Sequence, residues 1–242
     1  DDANYNVAVG DTILNANFGN SNIGIGYNVA TAITGNGNIA IGGNVNTASN
    51  SRNYTIGIGQ NTLRYNNAHY TIAIGFQAGK LNCTGSQNTA IGTHAMECNT
   101  ANTNTAVGAI ALNRNTTGTE NTALGYNTLF FNVTGSNNTA VGNCALHESN
   151  AHQNTAVGMS SLRYNKAGCC NTAIGTFSSF CNINGAFNVS VGRTALRNNT
   201  CSRNVGIGYA ASYNGTTATG IVSLGSETLF QNITGSNNTA VG

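Results

Sequence analysis

NTALGYNTLFFNVTGSNNTAVG, residues 121–142, decides the fold because it starts over on itself. Asn138-Thr139-Ala140-Val141-Gly142 repeats Asn121-Thr122-Ala123-Leu124-Gly125 after 17 residues. Working outward in both directions, an aliphatic residue followed by glycine recurs 15 times, from Gly10 to Gly242, with six gaps of 16 residues and eight of 17. Self-similarity at a short fixed period is the mark of a solenoid. The series runs end to end, so the expectation is a single repeat domain over residues 1–242. Both ends fall within the repeat, which reads as an uncapped segment of a longer fibre.

Aligned on its glycine, each repeat resolves into rows. The preceding residue is always Val, Ile or Leu; the one before that is Ala, Gly or Ser; the third is Val, Ile or Thr. The fourth is Asn in 12 of the 15 repeats, with Thr55, Thr71 and Ile221 as the exceptions. β-Branched residues at alternate positions favour a short strand, with the small residues on its other face. Four residues after the glycine, nine of 14 repeats carry Leu or Met, and seven after it ten carry Asn. We read each coil as two short strands joined by two turns rich in Gly and Asn, which tolerate left-handed backbone. Helical solenoids are excluded, because 17 residues cannot hold two helices and Gly and Asn oppose helix. The predicted fold is all-β, a parallel β-solenoid of about 15 coils.

Two assignments of the rows to inside and outside compete. In the favoured one, the aliphatic residues before the glycine and the Leu after it fill the roll: Val107, Leu112, Leu129, Val141, Leu146, Val157, Leu162 and Ile174. The small row of Ala90, Ala106, Ala123, Ala140, Ala156 and Ala173 then meets another chain, since a solvent-facing row has no reason to exclude Lys or Glu. In the alternative, a monomeric solenoid holds the small row inside and turns the β-branched row outward.

The copies Asn104–Leu112, Asn121–Leu129, Asn138–Leu146 and Asn154–Leu162 resemble the head repeats of trimeric autotransporter adhesins of the YadA type. They are even more similar to related repeats in tail fibres of phages and other viruses. The resemblance implies a left-handed parallel β-roll, three chains about one axis, and service as an adhesive fibre outside the cell or on a virion. It implies itself as partner, with a cell-surface glycan or protein receptor. The adhesin repeat is somewhat shorter, which places the extra residues here in a longer turn.

Composition narrows the function. Nine basic and seven acidic residues, a formal net charge of +2, offer no clustered basic patch for nucleic acid. No apolar run approaches the roughly 20 residues of a membrane span. The acids are scattered, without the facing pair that glycoside hydrolysis needs, so no catalytic residue is expected. His69, His94, His147 and His152 show no metal-ligand spacing, and no metal or cofactor is expected. The seven cysteines occupy unlike positions in the repeat, an arrangement suited to reduced filler rather than a disulfide ladder. Asn82, Asn115, Asn132 and Asn232 are sequons at one turn position and weak glycosylation candidates. Phe130, Phe131, Tyr164 and Phe230, with Tyr65 and Phe180, gather five or six residues after the glycine, where rings can contact a receptor or pack between chains.

The function expected is thus a structural fibre segment for host attachment. One alternative is an ice-binding solenoid, suggested by a six-coil row from Thr89 to Thr172, although Val or Ile at that position elsewhere reads as interior. Another is a subunit polymerising end to end.

Overall fold

The computed structural model describes residues 5–14, 19–30, 34–46 and 52–242. Fifteen parallel strands form a β-solenoid, and no helix occurs among the described residues. The chain divides into two compact units, Asp1–Glu120 and Asn121–Gly242. The first carries β1 (Val7–Ile13), β2 (Ile23–Val29), β3 (Ile39–Gly43), β4 (Ile56–Ile58), β5 (Ile72–Ile74), β6 (Thr89–Ile91) and β7 (Thr105–Val107). The second carries β8 (Thr122–Leu124), β9 (Thr139–Val141), β10 (Thr155–Val157), β11 (Thr172–Ile174), β12 (Val189–Val191), β13 (Val205–Ile207), β14 (Val222–Leu224) and β15 (Thr239–Val241). Register follows the repeat without slippage: Thr139, Ala140 and Val141 pair with Thr155, Ala156 and Val157.

Among the described residues each coil contains one strand, not two. The expected Leu-bearing strand is a run of turns, because Leu129 has φ 50° and Asn127 has φ 57°. Left-handed backbone costs a non-glycine residue about 1–2 kcal/mol, so the site must be held from outside. Stacking does this: Leu129 N–H donates to Ala145 O at 3.1 Å, and Phe131 N–H to His147 O at 3.0 Å, both in the next coil. Cys144 N–H donates backward to Tyr126 O at 3.0 Å. Coil-to-coil bonding therefore continues through the turns.

The small row lies inside each coil and the β-branched row faces out, which reverses the favoured assignment of rows. Ala123, Ala140, Ala156 and Ala173 are fully buried within one chain, as are Ala90 and Ala106 in the first unit. Space explains it. A Cβ added at Gly206, in the same row, would lie 2.8 Å from Leu196 Cγ of the preceding coil. A 16–17-residue coil is thin, and the Leu side chains reach across it to the strand, leaving room there only for a methyl or hydroxymethyl group. Leu112, Leu129, Leu146 and Leu162 are fully buried, as expected. Where Ser179 replaces the Leu, Ser178 and Ser179 hydroxyls meet Ser190 Oγ at 2.7 and 2.8 Å, so these three hydroxyls satisfy one another.

Two internal Asn rows tie the coils together. Asn138 is fully buried. Its Oδ1 accepts from Asn154 N–H at 3.0 Å, and its Nδ2 donates to Ala151 O at 2.8 Å and Asn121 Oδ1 at 3.1 Å. The side chain spans three coils. The bond from the next Asn N–H to Oδ1 recurs at Asn154, Asn171 and Asn188. The second row closes turns, as where Asn132 Nδ2 donates to Gly135 O at 2.8 Å.

Among the described residues of the first unit, one charged side chain enters the interior. Arg52 is fully buried, its guanidinium donating to Asn46 Oδ1, Asn46 O and Asn66 O. Burial pulls its pKa down to about 10, so it stays charged at neutral pH.

Candidate functional site

Two outward surfaces remain once the interior is assigned. The first is the strand face. Because the small row points in, the flanking rows point out. Val107, Val141 and Val157 are partly exposed rather than interior, and Ile174 is 41% exposed. Period-2 alternation forces this reversal: neighbours of an inward residue on a strand face the other way. Leu124 and Ile207 are comparably exposed. Neither outward row contains a charged residue in any of the fifteen repeats. The Thr positions lie on this face too, with Thr105, Thr122 and Thr139 exposed. Val or Ile at that position therefore does not mark an interior site.

The second surface is the turn column five residues after each glycine. In the second unit it holds Phe130, His147, Arg163, Phe180, Arg197, Tyr213 and Phe230, one per coil. The rings pack along the column. Phe130 stacks on His147 with centroids 5.7 Å apart, and Tyr213 on Phe230 at 5.0 Å. Tyr164 meets Phe180 edge-on at 5.0 Å. Arg197 lies 5.1 Å above Phe180 and 5.6 Å from Tyr213, and donates to the Tyr213 hydroxyl at 3.0 Å. Phe130, Phe131, Tyr164, Phe180 and Phe230 each pack on a ring of a neighbouring residue or coil, while Tyr65, in the first unit, lies beneath Arg64 at 5.2 Å. His147 and Arg197 belong to the same column, a membership that aromatic type does not reveal but their shared position in the repeat does.

Beside the column, Phe131, Glu148, Asn150 and Lys166 line an open groove of about 360 Å³. Phe131 is 37% exposed. Its ring is set edge-on against both Phe130, at 4.6 Å, and His147, at 5.2 Å.

His147 itself is buried, and burial, then Arg163, lower its pKa from the ordinary 6.5 while Glu148 opposes the shift. A base depressed in the folded state binds fewer protons there than in the unfolded chain, so stability rises with pH in that window. The stabilisation should be complete above about pH 6.5 and fall as pH drops through the folded-state value. Thermal melts of the wild type and His147→Phe across pH 7.5 to 5 check this: the variant should show the smaller loss.

The other candidates fall to structural roles. Asn82, Asn115 and Asn132 are buried. Their Nδ2 atoms donate within the turns, to Gly85 O, Gly118 O and Gly135 O at 2.7–2.8 Å. The nitrogen that would carry a glycan is engaged in the turn at each of these three, and the half-buried Asn232 makes the same bond to Gly235 O. His69 Nδ1 accepts from Asn53 N–H at 3.1 Å and His152 Nδ1 from Ser136 N–H at 3.0 Å, so both serve as turn acceptors. His94 and Lys80 both meet Glu97, at 2.8 and 3.6 Å. The seven cysteines stand as free thiols. Among the described residues, no group of three or more His, Cys, Asp or Glu is arranged to hold a metal ion. No family model, curated protein or solved structure matches the chain.

Proposed function

We propose that this chain is a structural segment of a homo-oligomeric, trimeric fibre on a virion or cell surface that serves adhesion and host attachment, without enzymatic activity. The observation that carries it is the strand face. Two uncharged rows of Val, Ile, Leu and Thr run along each unit, outside an interior that is already filled. Contiguous apolar surface of this kind marks an interaction site. A second copy is the occupant the repeat itself suggests, since a regular row is matched best by an equally regular row. On this reading the interface is formed by the β-branched rows, since the alanines are buried within one chain.

Sedimentation equilibrium tests the reading. The account expects three times the 24.8 kDa chain mass. It also expects Ile174→Lys with Ile207→Lys to give folded monomer, because unpaired charge at an apolar contact costs several kcal/mol. A monomeric wild type contradicts it.

A second reading is favoured by one observation: the exposed Thr122 and Thr139 lie in register on adjacent strands, a regular hydroxyl and methyl lattice. An ice-binding face has that form. Thermal hysteresis from wild-type monomer would select it over the fibre.

A further inference from the structure

We infer that the groove beside the aromatic column binds a neutral pyranose sugar through Phe131, Glu148, Asn150 and Lys166. The proposal rests on the attachment reading for its biological role, but its chemistry stands on the second unit alone.

A saccharide presents an apolar C–H face and a rim of hydroxyls that both donate and accept. Its site therefore needs an exposed ring, an acceptor and donors close together. The groove supplies each. Phe131 offers the ring, and contacts with Phe130 and His147 hold it in place, so little side-chain freedom is lost on binding. Glu148 carries two acceptor oxygens. Asn150 uses its Oδ1 to accept from Val133 N–H at 2.7 Å, which leaves its Nδ2 as a donor. Lys166 contributes an ammonium group. Among the described residues, the Glu148 and Lys166 side chains have no hydrogen-bond or ion-pair partner, though both line the groove. Charged groups normally engage each other when geometry allows; here both remain available to a third party.

Charge selects the ligand: the Glu148 carboxylate and the Lys166 ammonium together leave the groove without net charge, so neither an anionic nor a cationic sugar gains a net attraction there. The volume of about 360 Å³ suits one or two sugar rings and not a folded partner. Contacts in so open a site predict weak single-site affinity, which copies repeated in an oligomer would multiply.

The test is an array of neutral gluco-, galacto-, manno- and fucopyranosides together with sulfated glycans, with saturation-transfer NMR on the intact chain. At least one class should bind, and Phe131→Ala and Glu148→Gln should each weaken it at least tenfold. Tyr126→Ala, which removes an exposed ring outside the groove, should leave binding unchanged. Glu148→Gln keeps the shape of the side chain, so its effect cannot be laid to misfolding. Absence of binding to every neutral pyranoside, equal binding by both variants, or a preference for sulfated glycans that Glu148→Gln strengthens would each overturn the proposal. None of these outcomes depends on the sedimentation result, so the two readings fail separately.

Discussion

Gly142→Ala should lower stability by about 3 kcal/mol or more, the combined effect of a Gly-only backbone region and a steric clash. Gly142 has φ +128°, and a Cβ built on it would sit 2.7 Å from the carbonyl carbon and oxygen of Gly158 in the next coil. Those atoms are backbone, fixed by the Gly158 N–H to Val141 O bond at 2.7 Å. They cannot swing aside. The glycine row is thus where successive coils come closest, and each member is shaped for the one that follows. For a chain of this size the loss corresponds to roughly 6–12 °C in Tm, read by circular dichroism. An unchanged Tm would mean that the coils can part at this row without loss.

Asn138→Leu should be comparably harmful although the two side chains have similar shape. The substitution leaves Asn154 N–H and Ala151 O without the partners they now have at 3.0 and 2.8 Å, inside a closed interior. Each buried group left unpaired costs about 1–3 kcal/mol, so a loss of about 3–5 kcal/mol is expected. Leu is more apolar and fills the same space, so a simple burial argument predicts the opposite sign. The control is Asn143→Leu, at an exposed position, which should stay within about 0.5 kcal/mol of wild type. Urea unfolding of the two variants separates these accounts.

The period, the glycine anchor and the parallel stacking were legible because stacking imposes one residue type on one row. Which strand face lies inside was not. Alternation gives two faces without naming the buried one, and β-branched residues usually mark the core. Here thickness decides: Leu196 reaches across the coil to within 2.8 Å of where a Cβ on Gly206 would stand, so the residues of that row must be small. The second half of the coil was misread for a related reason. Leu129 and Leu146 are ordinary strand residues by propensity, and only the stacked hydrogen bonds hold them at φ near +50°. Asn132 was read as a turn residue correctly, but nothing local shows its amide turned inward. Arg52 gave only the signal of a charge where neighbouring coils carry Gly or Ala.

The most direct test of the central claim substitutes Lys at three consecutive residues of β9 and measures far-UV circular dichroism. With lysine at Thr139 or at Val141 the chain should stay folded, because both side chains face outward. With lysine at Ala140 it should unfold, because a long charged side chain cannot enter the filled interior. A folded Ala140→Lys beside an unfolded Thr139→Lys and Val141→Lys would contradict the account.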